Sequence, residues 1–212
     1  MALRDHSLDD KIISAAQEEF SDKGYMGASL RKIAERAGVT VGAIQIRYKS
    51  KDELFVSLLR SFLEDIEAAF LRIKSDYYSG DGKDILAQLD MSMRNESNAI
   101  LHLIFDHYDE AFLLLYRSAG SSLENYFNML VDSKIKESLL FFQSAGYSGA
   151  DEKLLRLLIS SQFDSYRRIV SECPDRGTAE KYMHSLMTYH LGGWTALFDS
   201  AKNAQEDMRD EI

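Results

Sequence analysis

Several features of secreted and membrane-bound proteins are scarce in this sequence of 212 residues. It has one cysteine, Cys173, so no internal disulfide can form and nothing indicates an oxidising compartment. The longest uninterrupted apolar run, residues 111–116, is far shorter than the roughly 20 residues that span a membrane. The charged N-terminus lacks the apolar core of a signal peptide. We therefore expect a cytoplasmic protein without a membrane partner.

Residues that interrupt helices are also few. The sequence contains one proline and twelve glycines, which are few turn-forming residues for a fold of many short strands. Helix-favouring residues are plentiful, and the hydrophobic and charged fractions, 45% and 28%, are those of a folded globular chain. The composition predicts an all-α fold.

Charge is unevenly distributed along the chain. The net charge is −9 overall, but residues 1–51 carry +2 and residues 52–212 carry −11. Within residues 27–51 the net charge reaches +5, because six basic residues stand against Glu35 alone. A short basic segment on an acidic body indicates a polyanion-binding head. Chance clustering on a solvated face would give the same count.

Apolar periodicity and capping residues predict the helices. A first helix ends at Gly24, and the next two begin at the cap residues Ser29 and Thr40. Ser50 and Glu53 form a capping box that opens a long fourth helix. Further helices are predicted at about 83–97, 98–107, 109–118, 120–145, 151–172 and 178–203, with loops at 77–82 and 173–177 and a turn at 146–149.

Residues 29–48 have the spacing of a helix-turn-helix motif. Ala34 is small where a second helix must approach, and Gly38 can adopt the positive φ of a tight turn four residues later. Ile44, ten residues after Ala34, is an apolar anchor for the second helix. A generic helical hairpin could share these three residues. The two caps and the basic charge favour a DNA-binding motif.

The motif lies within residues 28–44, ASLRKIAERAGVTVGAI, and YKSKDELF follows at residues 48–55. Together with the segment from Ile13 to Gly24, these stretches resemble the tetracycline-repressor (TetR) family over roughly residues 8–60. The remainder of the chain fits that family only in its layout. The resemblance implies a three-helix DNA-binding domain over residues 1–50, followed by a helical effector-binding and dimerisation domain over 51–212.

The resemblance also implies that the helix from Val41 to Tyr48 enters the major groove of double-stranded operator DNA. Family members usually carry a tyrosine where this sequence has Gln45, and a glutamine amide can instead bond adenine in a bidentate way. Arg47 can read guanine or hold a phosphate, and Lys51 matches a phosphate-binding lysine of the family. The predicted DNA-binding residues are Ser29, Thr40, Val41, Gly42, Gln45, Ile46, Arg47, Tyr48, Lys49 and Lys51.

Aromatic residues are concentrated in the body, where 20 of the 23 follow residue 51. Most aromatic residues on helices simply form core, but they also suit an adaptable cavity for an apolar ligand. By resemblance we expect a pocket for an unidentified small, mostly apolar effector. The predicted lining is Phe62, His107, Tyr108, Phe112, Tyr116, Tyr126, Phe127 and Phe163.

The last two long helices are apolar over too wide an arc for packing on one side only. Gly192 and Gly193 would each cost a helix about 1 kcal/mol relative to alanine, which a close helix approach explains. Tight packing within one chain is the alternative to a symmetric four-helix homodimer interface. The predicted interface residues are Leu155, Leu158, His190, Gly193, Trp194 and Leu197.

Other function classes are possible. His102 and Asp106 share a helix face near His107 and suggest a metal site or a helical-bundle enzyme, but no recognisable ligand spacing, phosphate loop or nucleophile elbow accompanies them. A helical interaction module without DNA is opposed by the basic segment. We predict a transcriptional repressor rather than an enzyme, with no metal, cofactor or catalytic residue. It would bind a palindromic operator as a dimer and leave it when an effector binds.

Overall fold

The computed structural model describes residues 6–78, 85–144, 151–173 and 175–210. Within these ranges the chain is helical without strands, so the predicted all-α fold is confirmed. A π-helical turn, Leu113–Arg117, directly continues the sixth helix. The α-helices are α1 (His6–Gly27), α2 (Leu30–Ala37), α3 (Val41–Arg47), α4 (Lys51–Tyr78), α5 (Ile85–Asp106), α6 (Tyr108–Phe112), α7 (Tyr126–Ser144), α8 (Glu152–Glu172) and α9 (Arg176–Asp210).

The chain divides into two compact units. Of the described residues, the first unit contains 6–66 and 107–127, and the second contains the rest. The domain boundary predicted between residues 50 and 51 falls inside the first unit, within the segment that leads into α4.

The core of the first unit forms where α1, α2 and α3 pack together with the start of α4. Phe20 of α1 and Phe55 of α4 are fully buried, and their rings meet edge to face with centroids 4.9 Å apart. Ile33 and Ile44 are also fully buried. Ile12, Ala16 and Phe20 follow one another at four-residue intervals, which places the buried side chains of α1 on one face.

Gly24 kinks α1 rather than ending it. Its φ of 66° and ψ of 169° are non-helical, yet the helix continues to Gly27. The amide of Ala28 donates to the Gly24 carbonyl at 3.0 Å, which closes one further turn after the kink. The predicted helix end at Gly24 is therefore wrong by three residues, although glycine does supply the positive φ.

Several other predicted boundaries differ from the structure. The helix break expected near residue 97 is absent, and α5 continues through it. The Ser97 hydroxyl donates a hydrogen bond to the Met93 carbonyl of the same helix at 2.7 Å, so it does not end the helix. The helix expected from residue 120 begins at Tyr126, after turns held by Ser118 and Ser121. The final helix runs past residue 203 to Asp210. Most of the predicted loop at 77–82 and the whole predicted turn at 146–149 lie outside the described residues.

In the second unit, α5, α8 and α9 pack on one another. A cluster of buried residues joins Leu101 of α5, Tyr166 and Ile169 of α8, and Met183 of α9. Across the described ranges, no helix is both long and apolar enough to cross a membrane.

Candidate nucleic-acid interface

The helix-turn-helix geometry predicted for residues 29–48 is confirmed. The hydroxyl of Ser29 accepts from the amide of Arg31 at 3.2 Å, and that of Thr40 accepts from Ala43 at 3.1 Å, so both serve as N-caps. Gly38 adopts a left-handed conformation, with φ 67° and ψ 34°, and ends α2. These local interactions fix the turn between α2 and α3.

The two helices bury their small and apolar faces and expose a polar face. Ala34 and Ile44, predicted as contact and anchor, are 2% and 0% exposed. On the outer side of α3, Gly42 and Gln45 are exposed, and Ile46 is 85% exposed. Gln45 and Ile46 are thus adjacent side chains on the solvent face of the candidate recognition helix.

The guanidinium of Arg47 is held inside the first unit. Its Nε donates to Asp9 of α1, and its Nη1 donates to the Ala43 carbonyl at 3.3 Å. Both charged side chains of the Arg47–Asp9 pair are more than four-fifths buried. Arg47 therefore ties α3 to α1 in this structure, an arrangement that does not support its predicted role in reading guanine or holding phosphate.

Lys51 is similarly engaged. Its ammonium donates to the carbonyl of Tyr25 at 2.7 Å and to that of Ala28 at 3.1 Å, and lies 4.3 Å from the centre of the Tyr25 ring. Burial and the neighbouring Asp52 carboxylate raise the pKa of the Tyr25 phenol. The contacts of Lys51 connect α4 to the end of α1 and do not support the predicted phosphate contact.

Other cations of the basic segment also have partners. Lys32 pairs with Glu35 at 2.9 Å, and this contact lowers the pKa of the Glu35 carboxyl. Arg36 pairs with Glu18 at 3.1 Å and with the buried carboxylate of Glu19 at 3.4 Å.

Two basic side chains of the segment show neither a salt bridge nor a side-chain hydrogen bond within the described part of the chain. They are Arg31, in the first turn of α2, and Lys49, which follows α3. Both are exposed. Arg31 was not among the predicted DNA contacts, because a charge count does not distinguish an available cation from a paired one. The remaining predicted contacts, Val41 and Tyr48, are half-buried, and the Tyr48 amide donates to the Ile44 carbonyl at 2.9 Å.

Seven of the eight residues predicted to line an effector pocket belong to the first unit, and some of them pack on one another. Phe62 lies against His107, with ring centroids 5.5 Å apart, and His107 Nε2 is 2.9 Å from Asp65. Phe112 packs on Tyr116 at 5.4 Å. Tyr108 is 40% exposed, whereas Tyr126 and Phe127 are half-buried. Phe163 belongs to the second unit, so the first seven predicted residues and the eighth lie in different units.

The metal alternative suggested by His102, Asp106 and His107 is not supported. The guanidinium of Arg176 lies 2.7 Å from His102 Nδ1 and 3.1 Å from Asp106, so it occupies the place between them with its own positive charge. His107 bonds instead to Asp65, and these two residues both belong to the first unit, whereas His102 and Asp106 belong to the second. Among the described residues, no group of three potential ligands could hold a metal ion.

The predicted dimer residues divide into buried and accessible ones. Leu155 is 2% exposed, so its side chain belongs to the core of the second unit and its prediction as an interface residue is wrong. Leu154 and Leu157, three residues apart on α8, are instead 38% and 71% exposed, beside the half-buried Leu158. Leu197 is half-buried.

The space around Gly192 and Gly193 of α9 tests whether another helix of the same chain approaches them closely. In the described part of the chain, no atom outside the local helix backbone lies within 4 Å of a Cβ placed on Gly192 or Gly193. Packing against the described residues of the same chain therefore does not explain the two glycines. Trp194 is half-buried, 5.5 Å from Phe142 between ring centroids. Burial lowers the pKa of His190.

Comparison with known proteins identifies the first unit most clearly. Residues 12–58 match the profile of the family described as bacterial regulatory proteins, tetR family. The fatty acid metabolism regulator protein of Bacillus subtilis (strain 168) is 36% identical over 61 residues, which are 27% of this chain and 31% of that protein. The negative transcriptional regulator IcaR of the biofilm operon icaADBC in Staphylococcus epidermidis is 29% identical over 132 residues, 62% of this chain and 61% of IcaR. The chain thus spans less than two thirds of the length of these curated relatives.

A solved structure supports the fold over most of the chain. The transcriptional regulator FadR from Bacillus subtilis, solved in complex with stearoyl-CoA, has a TM-score of 0.58 and 20% sequence identity. The similarity covers 87% of this chain and 98% of that one. At this identity the likeness is one of fold.

Proposed function

We propose that this chain is a TetR-family transcriptional repressor that binds a palindromic operator as a homodimer, which the match of residues 12–58 to the tetR family supports. The observation that carries the proposal is the exposed pair Gln45 and Ile46 on α3, presented by a helix-turn-helix whose inner face is buried. The matched family and the curated relatives are regulators rather than enzymes. The name of IcaR, a negative regulator, favours repression. The cytoplasm is the compartment that fits this role.

The exposed face of α3 favours recognition of A·T base pairs. A glutamine amide bonds the N6 and N7 atoms of adenine, and an apolar side chain contacts the C5-methyl group of thymine. Gln45 and Ile46 are the exposed side chains that offer these two contacts. Arg47, the residue of α3 suited to guanine, is already bonded to Asp9. We therefore expect each half-site to contain A·T pairs where α3 enters the groove.

Contacts to phosphate would come from the edges of the motif. Arg31 and Lys49 carry exposed charges without salt bridges in the described ranges. The hydroxyl oxygens of Ser29 and Thr40 each accept a hydrogen bond from a backbone amide. Their O–H groups can still donate a hydrogen bond to a phosphate oxygen. The proposed phosphate contacts therefore keep Ser29, Thr40 and Lys49, add Arg31, and omit Arg47 and Lys51.

The proposed dimer interface lies on α8 and α9 of the second unit. Leu157, Tyr182 and Tyr189 are 71%, 56% and 75% exposed, which is a large apolar surface for one chain. Gly193 would let a partner helix approach closely. Two copies related by a twofold axis would place their recognition helices in successive major grooves, about 34–36 Å apart. A small, mostly apolar effector would release the dimer from its operator.

The experiment is a selection of bound fragments from random double-stranded DNA, using the full chain. We expect a palindromic consensus with half-sites about one helical turn apart. Gln45→Ala should enrich a degenerate base at one position of each half-site. Lys153→Ala, which removes an exposed cation in the second unit, serves as the matched control and should leave the consensus unchanged. Recovery of no consensus, or of a single half-site, would contradict the proposal.

A further inference from the structure

A small cavity lies inside the second unit, where α5, α7, α8 and α9 meet. Its volume is about 30 Å³, close to the share of liquid volume of one water molecule. The apolar part of its wall includes Met93, Phe142, Phe163 and Trp194. Of the residues predicted to bind an effector, Phe163 reaches this cavity.

The rest of the wall is polar although it is buried. Ser92, Glu96, Ser138 and Gln162 are between 3% and 8% exposed, and all four line the cavity together with Lys134. Each occupies a position at which helical periodicity calls for an apolar side chain, since they alternate along α5, α7 and α8 with buried apolar residues. Buried polar side chains are costly unless they are bonded, so such a cluster favours a binding site.

Glu96 is the member of the cluster with an unmet acceptor. One oxygen, Oε2, accepts from the ammonium of Lys134. The other, Oε1, is buried and has no hydrogen-bond partner among the described residues. The negative charge also acts on Tyr166, since burial and then Glu96 raise the pKa of that phenol to about 12. Glu96, a residue of the cavity wall, therefore has one buried carboxylate oxygen that lacks a donor among the described residues.

We propose that this cavity is the core of a ligand site in which Glu96 Oε1 accepts a hydrogen bond from an N–H or O–H group of a small, mostly apolar molecule. An amine or an alcohol supplies that donor, whereas a carboxylate supplies none and is repelled by Glu96. The thioether of Met93 has several rotatable bonds, so the wall can widen around a ligand larger than water. That this ligand is the effector rests on the proposed function.

The test uses the single tryptophan of the sequence, Trp194, which lines the cavity and reports on it directly. The full chain is titrated with isobutylamine, isobutanol and isobutyrate, which share one apolar body and differ in the polar group. We expect saturable changes in Trp194 emission with the amine or the alcohol, at an affinity about tenfold or more above that of the acid. Binding of the amine alone or of the alcohol alone distinguishes an ammonium ligand from a neutral one.

Three variants assign the binding to the carboxylate. Glu96→Gln should lower the affinity for the donor-bearing probes about tenfold. Glu137→Gln, which removes the half-buried carboxylate partner of Lys74 in the same unit, is the matched control and should leave the affinities for the three probes unchanged. Lys134→Met removes the competing ammonium and should raise the affinity for isobutylamine. If circular dichroism shows that Glu96→Gln does not fold, Lys134→Met alone tests whether the Glu96 carboxylate binds the amine.

The proposal is overturned if isobutyrate binds best, if Glu96→Gln leaves the order of affinities unchanged, or if Lys134→Met weakens the amine. Unchanged emission with every probe means that the cavity holds water only and overturns it as well. None of these titrations involves DNA. Operator selection involves no ligand, so the failure of one proposal is distinguishable from the failure of the other.

Discussion

The ammonium of Lys51, in the first turn of α4, bonds the carbonyl oxygens of Tyr25 and Ala28 at 2.7 and 3.1 Å. Carbonyls at the end of a helix lack intrahelical donors and must be satisfied by other groups. Lys51 supplies those donors across 26 residues of sequence. The family resemblance assigns Lys51 to phosphate binding, but in this structure its side chain joins the start of α4 to the end of α1.

Replacing Lys51 should therefore affect folding more than DNA electrostatics. For Lys51→Met we expect the free energy of unfolding to fall by about 1–3 kcal/mol, because half-buried carbonyls lose their donors. The slope of log K against log salt for operator binding should not change. Lys49→Met, which removes an exposed cation, should leave stability within about 0.5 kcal/mol and lower that slope by about one. Urea denaturation and fluorescence anisotropy measure the two effects, and a lower slope in Lys51→Met would return this residue to the phosphate contacts.

The Arg47–Asp9 pair should behave as one structural unit. Arg47→Met and Asp9→Asn should each destabilise the chain by about 1–3 kcal/mol, because each leaves the other group buried without its charge partner. The double variant should lose less than the sum of the two single effects. Chemical denaturation of the four proteins gives the coupling. The base consensus of Arg47→Met, determined with folded protein, should equal that of the parent, and a degenerate guanine position would contradict this role.

Ile46 should read a thymine methyl group. Replacing the contacted thymine of the operator by uracil removes only that methyl and should weaken binding by the parent chain. Ile46→Ala should lower affinity for the thymine operator, and the uracil replacement should then have no further effect. Anisotropy titrations of both proteins with both duplexes complete the cycle. Additive losses would mean that Ile46 does not contact that methyl group.

A substitution at Gly193 tests whether this residue lies in the dimer interface or on a free surface. In a helix, alanine is more stabilising than glycine by about 1 kcal/mol, and a Cβ at Gly193 meets nothing within 4 Å in the described chain. Gly193→Leu should nevertheless shift the protein towards monomer, since overpacking a close helix approach costs about 1–3 kcal/mol. Light scattering measures the oligomeric state, and circular dichroism should show intact helices. A Gly193→Leu protein that is fully dimeric and thermally more stable would place this glycine outside the interface.

The buried phenol of Tyr166 should make stability fall in alkaline solution. Its pKa is about 12 in the folded chain, against an ordinary value of 10.0. Between these values the unfolded chain has released the proton that the folded chain keeps, so rising pH favours unfolding. The full loss from this group is roughly 2–3 kcal/mol by pH 12. Denaturation from pH 9 to 12 should show this loss relative to Tyr166→Phe, and parallel curves for the two proteins would contradict it.

The helix-turn-helix was predictable because its determinants are local. Ser29, Gly38 and Thr40 act on residues two to four positions away, so their roles can be read from spacing alone. The break expected near residue 97 was wrong for a related reason. Ser97 can bond its own helix as readily as it can end one, and spacing does not distinguish these outcomes.

By itself, the sequence determined the helical composition and the two capped helices with the turn between them. The tertiary structure decided which charged groups are available, because Arg47 and Glu96 each meet their partner across 38 residues. It also decided that Leu155 is core and that a buried carboxylate lines a cavity. Capping depends on backbone geometry within one turn of helix, whereas ion pairs and burial depend on which distant segments the fold brings together.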